Sequence, residues 1–191
     1  KNYTVHVTQT PASTAKQLLT FGVTSGTNLF NGVVNQTAKS VLVEVPYGTN
    51  VTDMVATFTV SQFASVKIGQ VTQISGVSHY NFLETVVYRI FAENGDVEVY
   101  TIVVRVLPGF NSFSFDDVVT KPAGEIDNIA RTITIHTPFS VDKTALKAYF
   151  ATGSETVVKI GATQQTSGVT PNDFTNPITY TLQISGGGTA N

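Results

Sequence analysis

The sequence predicts an all-β protein of two tandem β-sandwich domains, preceded by an orphan closing strand. Three observations carry that expectation. Apolar residues alternate with period two rather than 3.6. Hydrophobic residues make up 41% of the chain and charged ones only 13%, the balance of a β protein whose surface is covered by Thr, Ser, Asn and Gln. Finally, one half of the chain repeats the other without a gap.

The repeat organises the rest. Val66-Lys67-Ile68-Gly69 recurs as Val158-Lys159-Ile160-Gly161, and Ser75-Gly76-Val77 as Ser167-Gly168-Val169, both at an offset of 92 residues. The same offset pairs Phe21 with Phe113, Pro46 with Pro138, Met54 with Leu146, Phe58 with Phe150, Phe82 with Phe174 and Tyr88 with Tyr180, and 18 of 79 aligned positions are identical. A register held through loops as well as strands means two copies of one domain.

Strand-like runs in the first copy cover residues 18–24, 40–45, 55–60, 66–68, 71–74, 86–92 and 97–106. In the second copy they cover 111–115, 131–137, 145–150, 157–160, 163–166 and 178–184. Short β-rich runs in this number, split by Gly, Pro and Asn, indicate a Greek-key sandwich of the immunoglobulin type. Asn94-Gly95-Asp96 predicts a hairpin with a type I′ turn, making 86–92 and 97–106 antiparallel neighbours. Gly186-Gly187-Gly188 stands at the same place in the second copy and fixes register less firmly. Pro46 and Pro138 end a strand by removing a donor. The aromatics after them, Tyr47 and Phe139, read either as a platform for stacking sugar rings or as plugs of the sandwich end, and an aromatic in both copies favours the plug. Tyr88 and Tyr180 are expected in the core with the hydroxyl bonded to a loop. Phe21, Phe58 and Phe82, with Phe113, Phe150 and Phe174, should fill the two cores.

Composition also excludes functions. The net charge is −2 and no basic run occurs, so the chain has no electrostatic footprint for nucleic acid. No stretch reaches the roughly 20 apolar residues of a transmembrane segment. With no cysteine, disulfides, thiolate catalysis and Cys-based zinc sites are ruled out. His6 and His136 fall on polar strand faces, His79 in a loop, and none has a neighbour in sequence that makes a metal site. The acidic pairs Asp116-Asp117 and Glu125-Ile126-Asp127 do not form a D-x-D-x-D-G loop for calcium. No nucleophile elbow, phosphate-binding loop or dinucleotide fingerprint occurs. No enzyme activity, metal or cofactor is therefore expected.

Phe113-Ser114-Phe115, Thr132-Ile133-Thr134-Ile135-His136-Thr137-Pro138, Ser167-Gly168-Val169 and Asn172-Asp173-Phe174 with Tyr180 resemble tandem immunoglobulin-like repeats of Bacteroidota secreted surface proteins and adhesins. The first copy agrees through residues 43–52, Tyr88-Arg89-Ile90-Phe91-Ala92-Glu93-Asn94-Gly95 and Tyr100-Thr101-Ile102-Val103-Val104. The resemblance implies an extracellular or cell-surface location. Proteins carrying such repeats include large adhesins, surface lipoproteins and accessory regions of glycan-degrading enzymes. It transfers no catalytic or binding residue.

The ends are out of phase with the repeats. Residues 1–7 match the closing strand at 98–104, and residues 8–17 read as a linker. The first repeat spans 18–106, a short junction 107–110, and the second repeat 111–191 without its last strand. Three explanations compete: neighbouring repeats of a longer array supply the missing pieces; Tyr3, Val5 and Val7 of one chain complete the open domain of the next; or residues 3–7 form an extra edge strand. The leading functional expectation is a structural repeat of an extracellular adhesin, stalk or filament whose partners are neighbouring repeats or identical subunits. The alternative is a carbohydrate-binding or accessory module of a secreted glycan-utilisation protein. For a surface glycan or protein ligand, the candidate contacts are Tyr47, Tyr80 and Phe139, since the chain has no Trp.

Overall fold

The computed structural model describes residues 1–153 and 155–184, and every regular element among them is a strand. The expected turn at Gly186-Gly187-Gly188 lies outside the described residues. Contacts divide the chain into two units: Lys1–Val45 with Asn50–Arg105, and Pro46–Thr49 with Val106–Asn191.

The first unit contains β1 (Leu18–Ser25), β2 (Asn28–Asn35), β3 (Ser40–Val45), β4 (Met54–Val60), β5 (Ser65–Ile68), β6 (Val71–Thr72), β7 (His79–Tyr80), β8 (Val86–Phe91) and β9 (Val97–Val106). Hydrogen bonding connects them in the order β6-β5-β8-β9-β3-β2-β1-β4-β7. The path folds over on itself, so β1 and β4 face β8 across a core. Phe21 meets Tyr88 edge-on at 5.4 Å, and Phe58 meets it at 5.8 Å. Period-two alternation produces this core directly: in β8 Val86, Tyr88 and Ile90 are buried, while Val87 and Arg89 between them are exposed.

Strand β2 has no counterpart among the sequence-predicted runs, because Asn28, Asn31, Gly32 and Asn35 are turn-forming residues by composition. Its role explains them. Residues Asn28 to Asn31 pair with β1, and Gly32 to Asn35 pair with β3, so the strand changes partner at its middle. At that crossover a Cβ on Gly32 would lie 2.7 Å from Val41 and 2.9 Å from Val43. Gly124 repeats the device against Ile133, at 2.7 Å.

Two local expectations are corrected. In the β8–β9 hairpin the Gly95 N–H donates to the Ala92 carbonyl at 3.0 Å and the Ala92 N–H to the Asp96 carbonyl at 2.8 Å. Gly95 has φ of 92°, whereas Asn94 is not left-handed. The loop is thus three residues long with a glycine bulge, not a two-residue type I′ turn. Tyr88 is fully buried as expected, yet among the described residues its hydroxyl has no hydrogen-bond partner, and neither has that of Tyr180. Burial pushes the Tyr88 phenol well above its ordinary range and that of Tyr180 up to about 12. The stretch read as a linker is partly fastened to the first unit. The Ser13 N–H donates to Glu93 at 2.8 Å, the Gln17 N–H to Ser61 Oγ at 2.9 Å, and Lys16 pairs with Asp96 at 3.4 Å.

The second unit contains β10 (Phe110–Ser114), β11 (Glu125–Asp127), β12 (Thr132–Thr134), β13 (Leu146–Lys147), β14 (Tyr149–Thr152), β15 (Thr156–Ile160), β16 (Thr163–Gln164), β17 (Pro171–Asn172) and β18 (Thr181–Ile184). Its core gathers Phe110, Phe113, Phe115, Val118, Ala148 and Val158. The short motifs shared by the copies are the same hydrogen bonds made twice. Ser75 Oγ accepts from the Phe58 N–H, and Ser167 Oγ from the Phe150 N–H, both at 2.8 Å. The Gly76 N–H donates to Ala56, and the Gly168 N–H to Ala148, both at 2.9 Å.

Two outcomes follow from this packing. Gly32→Ala should cost about 1–3 kcal/mol, because two packed valines must give way; a urea midpoint equal to the parent's would refute the crossover account. Tyr88→Phe should leave stability at neutral pH unchanged or raise it by about 1 kcal/mol, since it removes an unpartnered buried hydroxyl. The phenol's raised folded pKa adds a pH signature. Its contribution is complete below the ordinary value of 10.0 and is lost as pH climbs from there toward the folded value. Denaturation between pH 9 and 12 should therefore weaken the parent more than the Phe variant.

Candidate functional site

The structure does not bring the three aromatic candidates together as one platform. Tyr80 lies on β7, the edge of the first unit's sheet, in register Met54↔Tyr80 and Val55↔His79. Phe82 backs its ring edge-on at 5.8 Å, and the Phe82 N–H is anchored to the Val51 carbonyl at 2.8 Å. Tyr80 is 38% exposed because no strand covers β7. Next to it in sequence, His79 Nδ1 bonds Asp53 Oδ1 at 2.7 Å in a well-exposed pair. Successive strand residues point to opposite faces, so this pair stands behind Tyr80 and not beside it. Sequence reasoning missed the pair because Asp53 becomes a neighbour only through the β4–β7 register.

Tyr80 occupies a position that is polar in the other copy. Asn172, its counterpart on β17, donates to Gln165 Oε1 at 2.8 Å. Gln73, the counterpart of Gln165, is equally buried, and its Oε1 has no partner. A tyrosine in place of asparagine has left a buried carbonyl oxygen unpaired.

Phe139 is fully exposed at the tip of the turn closed by the Val141 N–H to Pro138 carbonyl bond of 3.1 Å, so it plugs nothing. Tyr47 is half-buried and belongs by contact to the second unit. The shared proline–aromatic pattern therefore has different meanings in the two copies. Tyr3, Val5 and Val7 are 87%, 82% and 91% exposed, and residues 1–12 contain no regular element.

The second unit holds a cleft of about 1010 Å³. Its floor is apolar, with Phe113, Phe115, Ile133, Ile135, Tyr180 and Leu182, and Asn128, Arg131 and His136 supply polar groups. It runs between β12 and β18. Asn128 and Arg131 escaped notice in the sequence, although their counterparts Gln36 and Lys39 hold Tyr100 in the first unit. Among the described residues no three His, Asp or Glu side chains gather as a metal site. No helix is long and apolar enough to cross a membrane.

Comparison with known proteins gives the family. No curated protein matches the sequence. A crystal structure from Bacteroides fragilis NCTC 9343, of a protein described as secreted, is similar with TM-score 0.38 and 14% identity, over 50% of this chain and 98% of that one. Another, from Bacteroides thetaiotaomicron VPI-5482 and described as a glycoside hydrolase, gives TM-score 0.41 and 16% identity, over 66% of this chain and 36% of that one. At those scores neither likeness bears on chemistry. The family model described as SGBP, N-terminal, matches residues 18–104 and again residues 110–191. With nearly all of both repeats matched, the chain belongs to the SGBP, N-terminal family of Bacteroidota, and its place is outside the cell or on its surface.

Proposed function

We propose that the chain is an accessory module of an extracellular glycan-utilisation protein, one that contacts carbohydrate without cleaving it. The observation that carries this reading is the family match on both repeats, since the family is one of starch- and glycan-binding accessory domains. It favours the carbohydrate reading over the adhesin or filament, which has only the tandem build behind it.

Within the chain, Tyr80 is the residue to which the reading assigns a sugar contact. An exposed aromatic edge can pack on the C–H face of a pyranose while its hydroxyl serves a ring substituent. Tyr80 also carries a cost to the fold, the unpaired Gln73 Oε1, and local departures from the folding rules concentrate at functional positions. Tyr47 and Phe139 remain secondary candidates.

The repeat supplies a clean variant. Tyr80→Asn installs the side chain that satisfies the equivalent glutamine in the second unit, so it should preserve or raise thermal stability. Affinity electrophoresis through soluble starch and a set of other polysaccharides should retard the parent in at least one gel. The variant's affinity there should fall about tenfold, the equivalent of one lost aromatic contact. Equal retardation of parent and variant would remove Tyr80 from the reading, and no retardation in any gel would remove the carbohydrate contact itself.

A further inference from the structure

We propose that Phe63 and the turn that carries it form a second contact for neutral glycan chains, at the opposite end of β4 from Tyr80. The assignment rests on the carbohydrate function proposed above and adds a site to it. Tyr80 pairs with Met54 at the start of β4, whereas Phe63 follows Val60 at its end, about 20 Å along the strand.

The turn is closed by the Ala64 N–H, which donates to the Ser61 carbonyl at 3.0 Å. Phe63, its third residue, has φ of 65°, while Gln62 before it is not left-handed. That is the pattern of a type II turn, where glycine or asparagine is the usual third residue because a Cβ there is strained. A bulky aromatic at such a φ is an outlier. Core packing does not account for the ring, since Phe63 is 66% exposed, more than Tyr80. The second unit shows what the fold alone asks of this position. There Glu155 keeps the left-handed backbone, with φ of 61°, and carries an exposed polar side chain. The first unit thus adds an exposed apolar ring to the same backbone strain.

The turn is anchored beside polar groups. The Gln17 N–H donates to Ser61 Oγ and the Ser61 N–H to the Gln17 carbonyl, both at 2.9 Å. The register Ser65↔Phe91 brings the β8–β9 hairpin to the same end of the unit. That hairpin is tied to the same N-terminal segment: the Asn94 N–H donates to the Ser13 carbonyl at 3.1 Å, and the Ser13 N–H to Glu93 Oε2 at 2.8 Å. A fixed aromatic face next to carboxylate and amide groups suits a pyranose, whose C–H face packs on the ring while its hydroxyls hydrogen-bond at the rim. Charge narrows the class. Across residues 13–17, 61–64 and 92–96, Glu93 and Asp96 outnumber Lys16, which disfavours an anionic polysaccharide.

Because the chain has no Trp, Phe63→Trp introduces a single indole that reports on this turn alone. Its emission should move to shorter wavelength on titration with soluble starch or with xylan, both neutral, and stay unchanged with alginate, which is anionic. Phe63→Asn keeps a residue that tolerates the left-handed backbone and removes the ring. Its urea midpoint should equal or exceed the parent's, and its affinity in gels of the responding polysaccharide should fall about fivefold. Phe63→Trp should stay within about twofold of the parent in the same gels, as an aromatic contact requires. Equal retardation of the parent and Phe63→Asn overturns this site and leaves the Tyr80 contact standing. No retardation of the parent in any gel overturns both. An indole that answers alginate alone overturns the neutral-glycan assignment.

Discussion

The closing strand is the constraint on which the rest depends. In the first unit β9 is ten residues long, bonds to neighbours on both sides and buries Tyr100 and Ile102 completely. Each such side chain is worth about 1.5–3 kcal/mol of removal from water. The strand also covers β3 and β8, whose inward residues reach full burial only because β9 lies between them. Among the described residues the corresponding elements of the second unit are shorter. β3 has six residues and its counterpart β12 three; β8 has six and β18 four.

At several equivalent positions of the two copies the backbone itself needs a partner or a space. Ser75 and Ser167 satisfy an N–H on the facing strand. Asn50 and Asp142 accept from both the N–H and the hydroxyl of the threonine two residues on, which stiffens the loop into the next strand. Gly32 and Gly124 make room for a facing β-branched side chain. These roles depend on short distances and tolerate few side chains, so they persisted while the surfaces of the two units diverged.

Much of this was legible in the sequence, and the parts that were not share a cause. Alternation located β8, β9 and the phenylalanine cores because a buried face imposes its own period. The repeat revealed two units because loops kept register along with strands. Strand β2 was hidden because Asn and Gly, which look like a turn, here serve a change of partner. The glycine bulge at Gly95 and the unpartnered Tyr88 hydroxyl depend on where particular atoms come to rest, and composition does not encode that. Pro46-Tyr47 and Pro138-Phe139 misled for a related reason: one local pattern sits in two different surroundings. For the aromatic candidates the sequence named residue types correctly but could not say which would share a face. The His79–Asp53 pair and the Asn128–Arg131 pair required the register.

The two units also differ in how much local imperfection each carries. An unpaired buried carbonyl oxygen costs about 1–3 kcal/mol. The first unit bears one at Gln73 with its core closed by β9 and eleven large side chains under 2% exposed. The second unit, with shorter ladders, keeps the Asn172–Gln165 bond, so the equivalent oxygen there is paired. A closed core gives the first unit the margin to place Tyr80 at its edge, where asparagine would serve the fold better.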